Sequence, residues 1–328
     1  ERAVAVKRGV PGAALPEPRK RRVPTKPAVN RGDRYFGSDE PVNDGDRYFG
    51  SPSGRSDVAR GIDVPVPPFW GSRVVKGIAL ADIAEWLDLK ATFAGQWGLR
   101  GVRGGPTYDE LVETEGVPRL RRWLDRLRTE NLAEPAVAYG YWPCHSEGDT
   151  LVVGDPAEPG REVTRFTWPR QQRGRHLCLA DFFRDADEAA ELGPDVIAFQ
   201  LVTMGPVSEA TAELFAGNAY RDYLELHGLS VQLAEALAEL WHSRIRAELG
   251  LVDSGSVDAM IRDQAYRGGR YSFGYPACPD LADRGRLVVL LEPERIGVTL
   301  SEELQLHPEQ STDAIVVHHP EAKYFNAR

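Results

Sequence analysis

One nine-residue run constrains the fold more than any other part of this sequence. Residues 195–203, Asp-Val-Ile-Ala-Phe-Gln-Leu-Val-Thr, are almost continuously apolar and rich in β-branched side chains. A short apolar run of this composition predicts a buried central strand. We therefore expect a β-sheet at the core of the protein.

Helical patterns flank this strand. The strongest covers residues 230–249, where apolar side chains recur at nearly helical spacing and mark a core-facing stripe: Leu233, Leu237, Leu240, Trp241, Ile245 and Leu249. Other helices are expected at residues 80–87 and 208–225, and a capping box, Thr107 with Glu110, begins another. The glycine-punctuated residues 93–99 are expected to form turns.

Further strands are predicted at residues 136–141, 150–153, 163–168, 297–300 and 314–318. Because strands and helices are mixed without a regular βαβ repeat, the predicted fold class is α+β. We expect a single compact domain with a twisted antiparallel sheet flanked by helices.

The N-terminal part has a different composition. Ten of the 24 prolines fall within the first 68 residues, and aliphatic side chains are few. Such a segment buries too little apolar surface to offset its ordering entropy, so residues 1–62 are predicted to be a flexible linker and residues 63–328 the folded domain. Within the linker, residues 32–38 recur as 45–51, Gly-Asp-Arg-Tyr-Phe-Gly-Ser, and the basic residues 19–22 are interpreted as solvated.

Charge and cysteine usage exclude several classes of protein. The net charge is −9, and residues 1–62 carry +5, so the remainder carries −14. An acidic body argues against nucleic-acid binding. No apolar run approaches the ~18 residues of a membrane span. Three scattered cysteines, Cys144, Cys178 and Cys278, indicate no disulfide framework, and a cytoplasmic location is expected.

The stretch most indicative of function is Arg270-Tyr-Ser-Phe-Gly-Tyr-Pro-Ala-Cys-Pro279. Two prolines fix the backbone and lack N–H groups, whereas Gly274 permits a positive φ or a close backbone approach. The guanidinium of Arg270 can grip a carboxylate with two parallel hydrogen bonds. We interpret this stretch as a stiff, extended loop that clamps a ligand.

This stretch resembles the Arg-x-x-x-Gly-Tyr-Pro-Ala-Cys-Pro signature of the activation domain of cobalamin-dependent methionine synthase. A second matching stretch, His319-Pro-Glu-Ala-Lys-Tyr-Phe325, follows at the expected distance, after residues 296–302. The resemblance covers roughly residues 63–328. It implies a domain that binds S-adenosylmethionine (AdoMet) in a shallow groove along the sheet, facing a cobalamin-binding domain of the same polypeptide.

The resemblance also implies site residues. Arg270 would bind the methionine carboxylate of AdoMet and Asp88 its ammonium, while the adenosine would contact the following residues: Gly274, Tyr275, Ala277, Tyr324 and Phe325. Glu235 and Tyr275 would face the cobalamin domain. No residue is assigned a proton-transfer role and no metal site is expected. Relatives often have histidine where this chain has Leu281, so the docking surface is expected to differ from theirs in detail.

The implied reaction is reductive reactivation of cobalamin. A flavodoxin- or ferredoxin-type donor returns one electron to the oxidised cofactor, and AdoMet supplies a methyl group. Two other classes stay open: a free-standing AdoMet-binding regulatory protein, and an independent enzyme that uses Cys278 as a nucleophile. The sequence shows no dinucleotide-type glycine loop and no P-loop.

Two sets of polar residues have a structural and a functional interpretation. Glu235, Glu239 and His242 can share one helix face, which fits a metal or acid–base site, but a solvated or inter-domain face is preferred. His318 and His319 are adjacent in a predicted strand and would point to opposite faces, which favours structural roles over a shared metal.

Overall fold

The computed structural model describes residues 54–251 and 255–327 of the chain. A seven-stranded antiparallel sheet forms its centre, with the order β4-β3-β2-β5-β9-β6, and β1 pairs with β2 beside β3. Its strands are β1 Gly71–Lys76, β2 Ala136–Glu147, β3 Thr150–Gly154, β4 Glu162–Thr167, β5 Asp195–Thr203, β6 Gly269–Tyr271 and β9 Ser311–Val317. A small separate pair consists of β7 Thr299–Leu300 and β8 Leu306–His307.

Strand β5 is central, as the sequence predicts. All nine of its residues are buried, and it pairs with β2 on one side and β9 on the other. Strand β2 is held especially close to β1 at Gly140, where an added β-carbon would lie 2.1 Å from the carbonyl oxygen of Gly71. Only glycine fits at this position, because any side chain would separate the two strands.

The α-helices surround this sheet: α1 Leu80–Ala84, α2 Tyr108–Leu111, α3 Val117–Thr129, α4 Ala186–Leu192, α5 Val207–Ala216, α6 Tyr220–Glu248, α7 Val257–Asp263 and α8 Asp283–Leu291. Helix α2 begins with the predicted capping box, in which Thr107 and Glu110 bond reciprocally to each other's backbone N–H groups. The α+β class and the antiparallel sheet are therefore confirmed.

Each face of the sheet packs against its own apolar cluster. Along β5, Val196, Ala198 and Val202 point towards α6 and α3, whereas Ile197 and Phe199 point to the other face. That second face is covered by aromatic side chains, by α8 and by the C-terminal segment. The alternation follows from the two-residue period of a strand, and it determines which side chains can meet at a site.

Two helical predictions were wrong. The sequence predicts one helix at residues 208–225 and another at residues 230–249. In the structure the break between the two helices falls at residues 217–219, and α6 runs unbroken through Gly228 for 29 residues. The helix continues through Gly228. The missing side chain at this position makes room for a neighbour, since a β-carbon there would lie 2.7 Å from Cβ of Gln96. Residues Ala91–Gln96 form a wide helical turn rather than isolated turns.

Residues 54–62, here called the N-terminal strap, pack against the domain although their composition predicts a linker. The buried Arg55 donates hydrogen bonds to Ser146 Oγ at 3.0 Å and to the carbonyls of Asp181 and Phe183 at 2.8 Å. Ser56 Oγ donates to Asp181 Oδ2 at 2.6 Å. The charged and polar side chains of the strap thus add to the apolar contact that the buried Val58 makes with the core.

The rest of the predicted linker, including the repeated Gly-Asp-Arg-Tyr-Phe-Gly-Ser and the basic residues 19–22, lies outside the described residues. The predicted boundary between residues 62 and 63 stays a prediction. Within residues 54–251 and 255–327, no helix combines the length and apolar character required to cross a membrane.

Candidate ligand-binding cleft

A shallow cleft, open to solvent, lies where α6 meets α7 and the segment that follows α1. We call it the α6 cleft. Its lining includes four mainly apolar residues and two amides, namely Trp86, Ala236, Met260, Ile261, Gln232 and Gln264. Three carboxylates complete it: Asp88, Glu235 and Glu239. The arrangement offers apolar walls beside a cluster of acceptors.

Arg270 lies beside this cleft and is paired with two of its carboxylates. Because β6 alternates, Arg270 points towards α6 while Tyr271 points to the opposite face. Arg270 Nη2 donates to Glu235 Oε2 at 3.1 Å and to Glu239 Oε1 at 2.9 Å. Nη1 is buried and has no hydrogen-bond partner among the described residues. The side chain is 10% exposed, so this nitrogen is an unused donor in a nearly dry position.

The carboxylate of Glu239 and the imidazole of His242 form the base of this cluster. His242 Nδ1 lies 3.7 Å from Glu239 Oε2, and its ring packs edge-on against Tyr266. Burial lowers the pKa of His242 to about 4, so the ring is neutral at pH 7. Burial opposes ionisation of Glu239, but the positive charge of Arg270 outweighs it and holds the pKa of this carboxyl well below its usual range.

Of the two faces predicted for Glu235, Glu239 and His242, solvated or inter-domain, this geometry contradicts the solvated one, and the inter-domain face stays a prediction. His242 is fully buried, and both glutamates bind Arg270. No group of three or more His, Cys, Asp or Glu side chains is arranged to hold a metal ion in the described part of the chain. That Glu235 faces a cobalamin domain stays a prediction.

Asp88 lines the same cleft and also caps the helical turn that follows it. Its Oδ1 accepts hydrogen bonds from the backbone N–H groups of Lys90 at 2.8 Å and Ala91 at 2.9 Å. These two bonds fix the orientation of the carboxylate. The structure therefore brings Asp88, Glu235 and Arg270 together around one cleft, although 182 residues separate the first and last in sequence.

The loop after β6 is closed by hydrogen bonds between its two ends. Gly274 N–H donates to the Cys278 carbonyl and Cys278 N–H donates to the Tyr275 carbonyl, both at 2.9 Å. Gly274 has φ +92°, a conformation that favours glycine, and a β-carbon there would lie 2.9 Å from Cδ2 of Leu281. Tyr275 is 44% exposed at the loop tip, whereas Ala277 is fully buried.

Tyr324 and Phe325 are in different environments. Tyr324 is half-buried, and the preceding Lys323 donates to the carbonyl of Gln264 at the rim of the cleft. Phe325 is buried on the opposite face of the sheet, against Phe182 and Tyr271. Its side chain forms part of the core, and a contact between Phe325 and a ligand stays a prediction that the observed side-chain position does not favour.

The first half of the second stretch holds the N-terminal strap. His319 Nε2 lies 3.0 Å from the carbonyl oxygen of Ala59, and Glu321 Oε1 accepts from the Ala59 N–H at 2.9 Å. His318 Nε2 lies 2.7 Å from the buried Asp195 Oδ1. The two histidines thus point to different partners, in agreement with the structural roles favoured from the sequence.

The environment of Cys278 argues against a nucleophilic role. Its thiol is buried, and Sγ lies 3.0 Å from the carbonyl oxygen of Ser272. Burial is also the main cause that raises the pKa of the thiol far above its ordinary value. A thiolate, the reactive form, is therefore strongly disfavoured.

Sequence reasoning missed the role of Glu239 and the walls of the cleft at Trp86, Met260 and Ile261. A signal existed for Glu239, since it lies four residues after Glu235 and therefore on the same helix face. No local signal connects it to Arg270.

Comparisons with known proteins agree with this architecture. The family model described as vitamin B12-dependent methionine synthase, activation domain, matches residues 79–328. The chain is 62% identical over 285 residues to methionine synthase of Mycobacterium tuberculosis and 59% identical to that of Mycobacterium leprae. Each match covers 83% of this chain but only 24% of the relative, so the chain spans about a quarter of their length.

A solved structure has the same fold. The crystal structure of the MetH reactivation domain bound to AdoHcy (S-adenosylhomocysteine) superposes with a TM-score of 0.72 at 25% identity, covering 81% of this chain and 84% of that one. The family match extends over most of the described residues, including the cleft and both signature stretches. The chain therefore belongs to the family of activation domains of vitamin B12-dependent methionine synthase.

Proposed function

We propose that the α6 cleft binds AdoMet and presents its methyl group to a cobalamin held by a neighbouring domain. The observation that carries this proposal is the buried Nη1 of Arg270, an unused cationic donor on a side chain that pairs with Glu235 and Glu239, two of the carboxylates that line the cleft. An amino-acid ligand needs such a donor for its carboxylate and an acceptor for its ammonium group. The AdoHcy bound to the related reactivation domain carries both groups and supports the same choice.

Each side chain has a positioning role in this proposal. Arg270 Nη1 binds the ligand carboxylate while Nη2 stays paired with the glutamates, so the guanidinium need not rotate. Asp88, whose orientation is fixed by its two backbone bonds, accepts from the ammonium. Tyr275 and Tyr324 border the adenosine. Correct placement and exclusion of water are what the domain contributes to the rate.

AdoMet, held by Arg270 and Asp88, would supply a methyl group to reduced cobalamin in the neighbouring domain, and the electron pair of the broken C–S bond would stay on sulfur. No proton changes place in this transfer, and none of the chain's residues is assigned as an acid or base. The reduction that precedes it takes one electron from a flavodoxin- or ferredoxin-type donor. We propose that these steps reactivate a methionine synthase of which this chain is the activation domain, in a reducing cytoplasm that keeps its three cysteines as thiols.

Titration calorimetry of the chain with AdoMet tests the proposal. Arg270→Ala is expected to weaken binding by about 1.5–3 kcal/mol, the scale of a hydrogen bond between charged groups. Arg262→Ala is the matched control, because this exposed arginine on α7 pairs only with its neighbour Asp263 among the contacts described. Circular dichroism checks that both variants fold.

Unchanged affinity in a folded Arg270→Ala variant would refute the carboxylate grip. Absence of binding to the well-folded wild-type chain would refute a self-sufficient site. Repeating the titration with a cobalamin domain added then distinguishes a cleft completed by its partner from a chain that binds no AdoMet.

A further inference from the structure

The loop after β6, residues 272–279, is closed by bonds between its own residues. Besides the two backbone bonds described above, the Tyr275 N–H donates to the Ser272 carbonyl, and Sγ of Cys278 lies 3.0 Å from the same oxygen. Tyr275 is exposed at the tip, whereas Phe273 is buried at the base. The loop is therefore a compact unit, and the contacts at its base determine where its tip lies.

The base of this loop is held from the face of the sheet opposite to α6. Strand β6 pairs with β9 as far as Tyr271 and Ile315, where β6 ends. Asp313 lies two residues before Ile315 and hence on the same face of β9. Its Oδ1 accepts a hydrogen bond from the N–H of Phe273 at 3.2 Å. A side chain of β9 thus continues the attachment of the chain to the sheet beyond the end of β6.

Arg284 of α8 holds the carboxylate of Asp313 in place. Its Nε donates to Asp313 Oδ2 at 2.7 Å, and its Nη1 donates to the carbonyl of Leu304, in the turn between β7 and β8, at 2.8 Å. The Asp313 side chain is fully buried, and that of Arg284 is 15% exposed. Burial raises the pKa of Asp313, so its ionised form depends on the guanidinium beside it. The two residues therefore act as a unit that joins β9, α8 and the loop.

Stability alone is a weak reason for such a pair. Apolar side chains of similar volume often stabilise a core as well as a buried ion pair does, because the ion pair must first be desolvated. What distinguishes this pair is that the second oxygen of Asp313 binds the backbone of the loop. Burial raises the pKa of the Tyr275 hydroxyl, and the charges of Asp313 and Arg284 also act on it, so the pair lies near the loop tip.

We propose that Asp313 and Arg284 are positioning residues, which fix the base of the loop after β6 and thereby the place of Tyr275 at its tip. Both lie across the sheet from the α6 cleft and contact the ligand only through the loop. The consequence for AdoMet rests on the proposed function, in which Tyr275 borders the adenosine. The effect on the loop itself does not.

Cys278 reports on the loop in the absence of any ligand. Its thiol is buried within the loop, whereas Cys144 is buried in β2 and Cys178 in the segment after β4. Local opening of the loop exposes Cys278 alone, whereas global unfolding exposes all three thiols. Modification of the whole chain by N-ethylmaleimide in native buffer, followed for each cysteine by peptide mass spectrometry, therefore separates the two events.

Asp313→Asn is the first variant to measure. An amide keeps one of the two oxygens, so the Phe273 N–H and the guanidinium can no longer each have an acceptor of their own. Cys278 is expected to react about ten-fold to about a hundred-fold faster than in the wild-type chain, the factor for one hydrogen bond to a charged group, while the other two cysteines change far less. Asp263→Asn is the matched control, because this exposed carboxylate pairs with the arginine before it, and should change none of the three rates.

A second variant removes the buried charges together. Asp313→Leu/Arg284→Met replaces the ion pair by apolar side chains and leaves no buried charge without a partner, so global stability is expected to change little. The Phe273 N–H still loses its acceptor, so Cys278 should again react faster than the other two cysteines. If Cys278 reacts no faster than in the wild-type chain, or if all three cysteines are accelerated by the same factor, the pair only stabilises the fold and the inference is overturned.

The link to the ligand is tested in the same assay. Saturating AdoMet should slow the modification of Cys278 in Asp313→Asn, because the bound adenosine holds Tyr275 and with it the loop. Release of Cys278 that AdoMet does not slow would uphold the positioning pair and count against the proposed function. Protection by AdoMet without any release of Cys278 in the two variants would do the reverse.

Discussion

Replacing Arg55 with methionine tests whether the N-terminal strap is part of the folded body. The arginine side chain is 8% exposed and donates to three acceptors of the domain at 2.8–3.0 Å. Methionine keeps much of the apolar stem and removes every donor. The Ser146 hydroxyl and the carbonyls of Asp181 and Phe183 would then lose a charged partner in a buried position.

The magnitude follows from these contacts. A hydrogen bond to a charged group contributes ~1.5–3 kcal/mol, and the three bonds share one guanidinium, so their contributions are not independent. The burial that lowers the pKa of Arg55 also offsets part of the gain. We expect a loss of about 3 kcal/mol in the free energy of unfolding, or roughly 6–12 °C in Tm for a domain of this size.

Urea unfolding followed by circular dichroism and by tryptophan fluorescence measures this loss, and coincident transitions justify a two-state treatment. Arg103→Met, in an exposed loop, controls for the general effect of removing an arginine. If Arg55→Met loses no more stability than Arg103→Met, the buried contacts of Arg55 contribute nothing to the stability of the fold.

Three further outcomes are expected. Gly140→Ala should destabilise the domain by more than about 2 kcal/mol in urea unfolding, because the added carbon meets the carbonyl oxygen of Gly71; a loss below about 0.5 kcal/mol would contradict the strand spacing. Burial lowers the pKa of His242 to about 4, so on acidification the unfolded chain binds a proton at this residue before the folded chain does. The free energy of unfolding should therefore fall as pH decreases from about 6.5 towards 4. His242→Phe should make this dependence on pH shallower, and an equal dependence in both proteins would show that the ring is already solvated. A thiol reagent should modify none of the cysteines in the native protein and all three after unfolding, since each is buried: Cys144, Cys178 and Cys278.

The sheet could be predicted from the sequence because its signal is local. Strand β5 is an apolar run that is buried along its whole length, so the apolar character of each side chain by itself indicates a buried position. The core-facing stripe of α6 was recognised for the same reason. The full extent of α6 could not be predicted, because a glycine such as Gly228 indicates a break in a helix. In the structure Gly228 instead allows a close contact with Gln96, 132 residues earlier in the sequence.

The cleft was predictable in part. Arg270 and Asp88 were named through the resemblance, and the structure places both at one cleft. The pairing of Arg270 with Glu239 could not be predicted, since no periodicity connects a strand residue to a helix residue 31 positions away. The environment of Phe325 was missed because a motif gives the order of side chains and not the face of the sheet on which each one lies.

The strap changes how far the preceding chain can reach. Had residues 54–62 been free, their nine residues would have added up to about 30 Å of extended tether. The contacts of His319 and Glu321 with the Ala59 peptide, together with Arg55, hold these nine residues on the domain, so they add no reach to the chain. For two linked modules, the effective concentration of one at the other depends on tether length. A module attached upstream would therefore meet the domain at a local concentration set partly by the strap contacts, which lie outside the α6 cleft.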